Sequence, residues 1–162
     1  MKARGNPDVT PEEKLTQLGM ALPSAPPPVG SYLPVLRVGD LVFTSGQLPI
    51  ENGRVTVTGK VGAGVSMLQA TDAARLAALN ALAQIAAAAG GLSNVARIVR
   101  LAVFVNSGPG FTEQPKVANA ASDLMTAVFG EAGKHVRAAV GVNELPLNAA
   151  VEIEVVAQVK ST

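Results

Sequence analysis

The chain has 162 residues, 48% hydrophobic and only 15% charged, with 13 basic and 12 acidic side chains giving a formal charge of +1. That length fits one domain with a substantial core. Cysteine is absent and His135 is the single histidine, which excludes disulfides, thiolate nucleophiles and Cys-ligated metals and leaves little for a multi-histidine metal site or a Ser-His-Asp triad. The near-neutral charge, the lack of a basic run and the scarcity of aromatics argue against a dedicated nucleic-acid surface. No apolar run free of charges and turn residues reaches the roughly 18–20 residues of a membrane span. The Ala73–Ala89 stretch is interrupted by Arg75, Asn80 and Gln84, as suits a packed helix. Met1–Pro28 is polar and proline-rich with no secretory apolar region, so the expected location is the cytoplasm. An apolar composition of this kind also suggests that part of the surface is covered in an oligomer.

In chain order, residues 1–30 read as an N-terminal extension and residues 31–162 as the domain. Thr10-Pro11-Glu12-Glu13 offers an N-cap, a proline at the first helical position and a capping-box glutamate, predicting a short helix ended by Gly19. The segment Leu22–Pro28 is too rich in proline for a helix and is expected to run extended over the surface. Pro34–Val38 and Leu41–Ser45 read as strands about a Gly39-Asp40 turn, and Asn52-Gly53 marks a second turn. Gly59–Gly64 is a glycine-rich loop without a phosphate-binding pattern, Lys60 standing on the wrong side of the glycines. Ser66-Met67-Leu68-Gln69 opens a helix that continues to about Ala89, where Gly90-Gly91 stops it. A strand at Val95–Val105, a helix at Thr112–Phe129 and two final strands complete a β-β-α-β-α-β-β order. That order predicts an α+β fold: one mixed sheet with two helices on one face, its other face apolar and buried by further copies of the chain.

The C-terminal run that begins RAAVGV at Arg137 and ends VEIEVVAQV reads as two strands joined by a short turn. Alternation places Val136, Ala138, Val140 and Val142 on one side of the first strand and Arg137, Ala139 and Gly141 on the other. In the second, Val151, Ile153 and Val155 face the core while Glu152 and Glu154 point away. If the strands pair, the Arg137 guanidinium and the Glu152 carboxylate share the non-core face of one sheet. Ala139 and Gly141 then leave room beside the cation for a small carboxylic acid. The same two residues also read as a structural ion pair. Gly46, in Thr44-Ser45-Gly46-Gln47-Leu48-Pro49, allows close backbone approach and an N–H aimed at an anion, or marks an ordinary strand exit. Ser45 has no base partner. His135 reads as a solvated strand-end histidine or a lone base, and Tyr32 as a pocket cap or a surface residue.

Val29-Gly30-Ser31-Tyr32, TSGQLP at Thr44–Pro49, VFVN at Val103–Asn106 and the C-terminal VRAAVGVNELP…VEIE resemble, in order and spacing, the reactive-intermediate deaminase family, also called Rid or YjgF-like. The resemblance covers roughly Val29–Lys160. It implies a chorismate-mutase-like α+β fold and a homotrimer whose sheets line a central barrel, with a ligand cleft at each subunit interface. It implies cofactor-free hydrolysis of enamine and imine intermediates, such as 2-aminoacrylate, to 2-keto acids and ammonia. By position, Arg137 matches the arginine that binds the substrate carboxylate and Glu152 the glutamate that holds the hydrolytic water. Gly46 and Ala139 match positions whose backbone N–H groups contact the ligand, Tyr32 the cleft tyrosine and Asn119 a cleft asparagine. Ala139 stands where many members have cysteine. The extension at 1–30, the Gly59–Gly64 loop and the longer second helix mark a divergent branch. Two rival readings stand beside the deaminase. One is an endoribonuclease or translation inhibitor, a label the family often carries, which calls for a basic surface that the near-neutral charge does not support. The other is a non-catalytic trimer that senses a small carboxylate or 2-keto acid, for which Arg137 alone suffices.

Overall fold

A computed structural model describes residues 9–161. Residues 1–8 of the N-terminal extension, and Thr162, lie outside the described residues. Helix α1 (Pro11–Gln17) begins at Thr10, whose hydroxyl accepts the Glu13 N–H while the Glu13 carboxylate accepts the Thr10 N–H. This reciprocal capping box satisfies two otherwise orphaned donors. Two contacts fasten α1 to the rest of the chain. Leu15 is buried in the main core, and the Glu12 carboxylate accepts from the Leu92 N–H, the Ser93 N–H and the Ser93 hydroxyl. Burial works to raise the Glu12 pKa, but these donors outweigh it and hold the group below the ordinary glutamate value. Beyond α1, residues 20–30 form neither helix nor strand. This proline strap is pinned by Gln84, whose side-chain amide donates to the Pro26 carbonyl at 2.6 Å.

Strands β1 (Val35–Val38) and β2 (Leu41–Thr44) form an antiparallel hairpin. A small hairpin, β3 (Ile50–Glu51) and β4 (Arg54–Val55), turns at Asn52-Gly53, both left-handed with φ of 51° and 75°, the geometry that selects Asn-Gly. The glycine-rich loop forms a two-residue parallel pair, β5 (Lys60–Val61) with β6 (Gly64–Val65). Helix α2 (Met67–Ala89) carries the Ser66–Gln69 capping box and ends on left-handed Gly90. Strand β7 (Val95–Asn106), helix α3 (Gln114–Phe129), strand β8 (Val136–Val142) and strand β9 (Val151–Val159) follow.

The main sheet runs β1-β2-β9-β7-β8, with β8 parallel to β7 and the other pairs antiparallel. The α+β class with a mixed sheet stands, but the last two strands do not pair: β7 lies between them. The reason is in β7 itself. It is twelve residues long, and Leu101, Ala102, Val103 and Val105 are all buried, so it is apolar on both faces as a central strand must be. The β8–β9 connection is accordingly not a tight turn. It crosses the end of β7 through a short turn at Pro146–Asn148, where fully buried Asn106 donates to the Ala149 carbonyl and to Asn148.

Helices α2 and α3 cover one face of this sheet. The alanine stripe of α2 (Ala70, Ala73, Ala74, Ala77, Ala81) lets its backbone approach the strands closely, with Leu82 and Ile85 filling the core. Each such large side chain contributes about 1.5–3 kcal/mol by burial. The opposite sheet face carries no element of the described chain and is largely apolar: Leu36, Val38, Phe43, Val136 and Val140 are exposed there.

Candidate active site

Glu152 sits on β9 and points to the uncovered face. Its surroundings are set by an irregularity in β2. The Phe43–Val156 register gains one residue before Gln47 exchanges two backbone hydrogen bonds with Ile153, so Thr44, Ser45 and Gly46 together oppose Glu154 and Val155. This is a β-bulge, which bends the strand and re-aims its side chains. Thr44 compensates by accepting the Val155 N–H on its hydroxyl at 3.0 Å, and Ser45 donates to the Leu33 carbonyl at 2.6 Å. Ser45 is therefore an anchor for the strap. The bulge lays the Gly46 backbone against the Glu152 carboxylate: a Cβ at Gly46 would lie 1.9 Å from Glu152 Oε1. Only glycine leaves that space. Pro27, Val29, Tyr32, Leu48 and Pro146 complete a cleft of about 50 Å³ around the pair. The Tyr32 hydroxyl accepts the Val29 N–H at 3.2 Å, closing the strap over it. Burial raises the Glu152 pKa above the ordinary value, and neighbouring Glu154 adds to the effect. Glu152 makes no ion pair among the described residues.

Arg137 sits on β8, opposite Leu101 of β7, and its side chain lies under α3. Its Nη1 donates to Ser122 Oγ at 3.0 Å and its Nη2 to the Pro115 carbonyl at 3.2 Å. Both acceptors are neutral, so no carboxylate among the described residues offsets the guanidinium. Asn119 is exposed on α3 between those two contacts, one turn from Pro115 and three residues from Ser122, on the same stripe of the helix. Ala139 packs against the core. Gly141 is exposed, with the Gln114 and Ser107 side-chain ends beside it: a Cβ there would meet Gln114 Nε2 and Ser107 Oγ at 2.8 Å.

Two sets result, Glu152 with Gly46 and Tyr32, and Arg137 with Asn119 and Ala139. They do not meet within one chain. Arg137 shares the helix-covered face with Leu101, whereas Glu152 is on the bare face. With β7 between them and three residues of offset, their Cα atoms are about 14 Å apart by strand geometry. The expectation that both groups share the non-core face is thus corrected. The β8 alternation is the reverse of that expected: its valines face the bare side and its arginine is folded under a helix.

A family model described as "YjgF/chorismate_mutase-like, putative endoribonuclease" matches residues 12–159. The chain belongs to this family. The "Protein TCP17" of Trypanosoma cruzi is 45% identical over 148 residues, covering 91% of this chain and 92% of the relative. A "2-iminobutanoate/2-iminopropanoate deaminase" of Dermatophagoides farinae is 31% identical over 137 residues, covering 83% and 91%. A Shewanella oneidensis protein described as a "putative endoribonuclease" superposes with a TM-score of 0.90 at 37% identity, over 93% of this chain and 99% of that one. The YjgF-like match begins inside α1, in keeping with the Leu15 and Glu12 contacts that tie this helix to the core.

Ser122, which holds Arg137, carries no signal in the sequence, and the reading of His135 changes with it. His135 is not a solvated strand-end residue: it is half-buried, with Nε2 2.9 Å from Ser122 Oγ and Nδ1 2.6 Å from the Gly133 carbonyl oxygen. The signal available was the single histidine two residues before Arg137, but its partner lies thirteen positions away on α3. Lys60 is engaged structurally, donating to Asn106 Oδ1 at 2.9 Å and to the Asn143 carbonyl, so the glycine-rich loop offers no free cation. No group of three or more potential metal ligands occurs among the described residues, and no described helix is long and apolar enough to cross a membrane.

Proposed function

We propose that this protein is a cofactor-independent hydrolytic deaminase of reactive enamine and imine intermediates, converting 2-imino acids such as the imine of 2-aminoacrylate to 2-keto acids and ammonia in the cytoplasm. The observation that carries the reading is a complementary pair of half-sites. A guanidinium held only by neutral acceptors keeps its full charge for an external carboxylate. A half-buried glutamate with a raised pKa and no cation is suited to hold a water and exchange a proton. Each lacks what the other supplies, and a second copy packed on the bare apolar face brings them together across a seam. A homotrimer closed on that face is the assembly we propose, with one site per interface. The relative bearing the deaminase name supports the chemistry at family level.

In the proposed reaction, Arg137 of one protomer clamps the substrate carboxylate, while Asn119 and Tyr32 border the cleft. The backbone N–H groups of Gly46 and Ala139 orient the bound acid. Glu152 of the neighbouring protomer places a water against the C=N carbon. Water adds to that carbon, its protons pass to nitrogen through Glu152, and the C–N bond breaks, releasing ammonia and leaving the keto carbonyl. Positioning supplies most of the rate, since an imine already hydrolyses in water. A coupled assay that generates 2-aminoacrylate tests this: the protein speeds keto-acid release and Arg137→Ala returns it to the uncatalysed rate. A Glu152→Gln variant that loses carboxylate affinity as fully as turnover favours the sensor reading instead.

The family description keeps an endoribonuclease in view. Cleavage of RNA by the purified chain that is lost in Arg137→Ala is the result that favours it.

A further inference from the structure

The deaminase reading leaves open how Arg137 is aimed. An arginine carries three rotatable methylenes and five N–H donors, and on an edge strand its head is free to wander. Here two donors are spent, on Pro115 and on Ser122, and Ser122 is itself constrained. A serine within a helix ordinarily turns its hydroxyl to the carbonyl one turn back or to water. That of Ser122 instead lies 2.9 Å from His135 Nε2. The direction of this contact follows from the other side of the ring. Gly133 O is a carbonyl and can only accept, so His135 Nδ1, 2.6 Å away, carries the hydrogen. When the imidazole is neutral, Nε2 presents a lone pair and the Ser122 hydroxyl donates to it. With its hydrogen committed, Ser122 Oγ offers only lone pairs, which is the polarity Arg137 Nη1 requires.

Resting on the deaminase reading, we propose that His135 and Ser122 are positioning residues for the carboxylate-binding guanidinium, forming a one-way hydrogen-bond chain that runs from Arg137 through Ser122 and His135 to the Gly133 carbonyl. Every acceptor in the chain is neutral, so it orients the guanidinium without discharging it. An aspartate at position 122 would hold the same fork more tightly and quench it. Three of the five N–H groups have no partner among the described residues, enough for a bidentate grip on a carboxylate. Neither Ser122 nor His135 touches substrate in this scheme. Their contribution is to binding, and the bond-breaking step belongs to the Glu152 set.

The test uses the full-length chain, its Ser122→Ala, Ser122→Thr and His135→Phe variants, and 2-ketobutyrate as the binding probe. In Ser122→Ala, KM for the imine and Kd for 2-ketobutyrate rise about tenfold while kcat stays within about twofold. Ser122→Thr, which keeps the hydroxyl, recovers most of the loss, and His135→Phe gives an intermediate rise. Nitrogen-15 NMR supplies a readout independent of turnover. The wild-type Arg137 guanidinium shows separate Nη1 and Nη2 signals that merge in Ser122→Ala, and His135 shows the Nδ1–H tautomer. Wild-type turnover with unchanged KM and Kd in Ser122→Ala overturns the positioning role and leaves the deaminase reading standing. A wild-type chain that neither turns over imine nor binds 2-ketobutyrate overturns the deaminase reading, and the positioning role with it. Separate Nη signals that survive Ser122→Ala overturn the hydrogen-bond chain whatever the turnover.

Discussion

Strands β8 and β9 have similar alternating sequences and opposite outcomes. On β9 the apolar set Val151, Ile153 and Val155 is fully buried beneath the helices and the two glutamates face away. On β8 the apolar set is on the bare side, with Val136 68% exposed, and Arg137 is folded under α3. Period-2 patterning separates two faces of a strand but does not say which is the core. When the second sheet face is itself apolar, the choice falls to contacts far away in sequence, here a carbonyl and a hydroxyl on α3. The consequence is chemical. Inversion of one strand relative to the other sends cation and carboxylate to opposite faces, and so, in the proposed deaminase, makes a complete site a property of two chains.

The largest expected effect comes from the cation. Arg137→Ala lowers kcat/KM at least about a hundredfold, matching roughly 3 kcal/mol for loss of a charge-assisted bidentate contact. Thermal unfolding should change little by comparison, because the bonds lost are two, to neutral acceptors. An Arg137→Ala chain that retains wild-type kinetics breaks the assignment of β8 as the binding strand. Next is Gly46→Ala, which drives a methyl into the Glu152 carboxylate. It lowers kcat roughly tenfold or more and costs about 1–3 kcal/mol of stability, as overpacking does. A Gly46→Ala protein with unchanged kcat separates Glu152 from the chemistry.

The smallest effect sharpens the comparison from the β9 side. Burial, with Glu154, raises the Glu152 pKa, so the folded state binds that proton more tightly than the unfolded chain. Glu152 therefore favours folding below the ordinary glutamate value and opposes it as pH rises through the folded-state pKa. Glu152→Gln removes this titration. Its melting temperature should exceed that of wild type at neutral pH, and the gap should narrow as pH falls through the raised folded-state pKa towards the ordinary value of 4.5, with no further change below it. A gap that widens on acidification contradicts the assigned burial.

Much of the fold was legible because its signals are local. The Thr10–Glu13 and Ser66–Gln69 capping boxes, the Asn52-Gly53 turn and the Gly90 stop each act within four residues, and all four stand in the structure. Strand order was not legible. The adjacency of two short strands suggested a hairpin, and only the burial of both β7 faces, with Asn106 holding the crossing loop, explains why they are split. At the candidate site, Gly46 could be read as a close approach, but the group approaching it came from the one-residue bulge, which no composition or spacing announces. Ser122 was invisible as a functional residue because a serine in a helix is unremarkable until the histidine beyond the helix end folds back onto it.

The central claim is that a complete site takes Arg137 from one chain and Glu152 from another, and subunit mixing tests it most directly. Arg137→Ala and Glu152→Gln are each inactive as pure assemblies. Co-expressed in equal amounts, random assortment pairs an intact Arg137 with an intact Glu152 at about a quarter of interfaces. The account predicts recovery of roughly that fraction of wild-type imine hydrolysis. Mixed assemblies, shown by mass spectrometry to contain both variants yet as inactive as their parents, would contradict it.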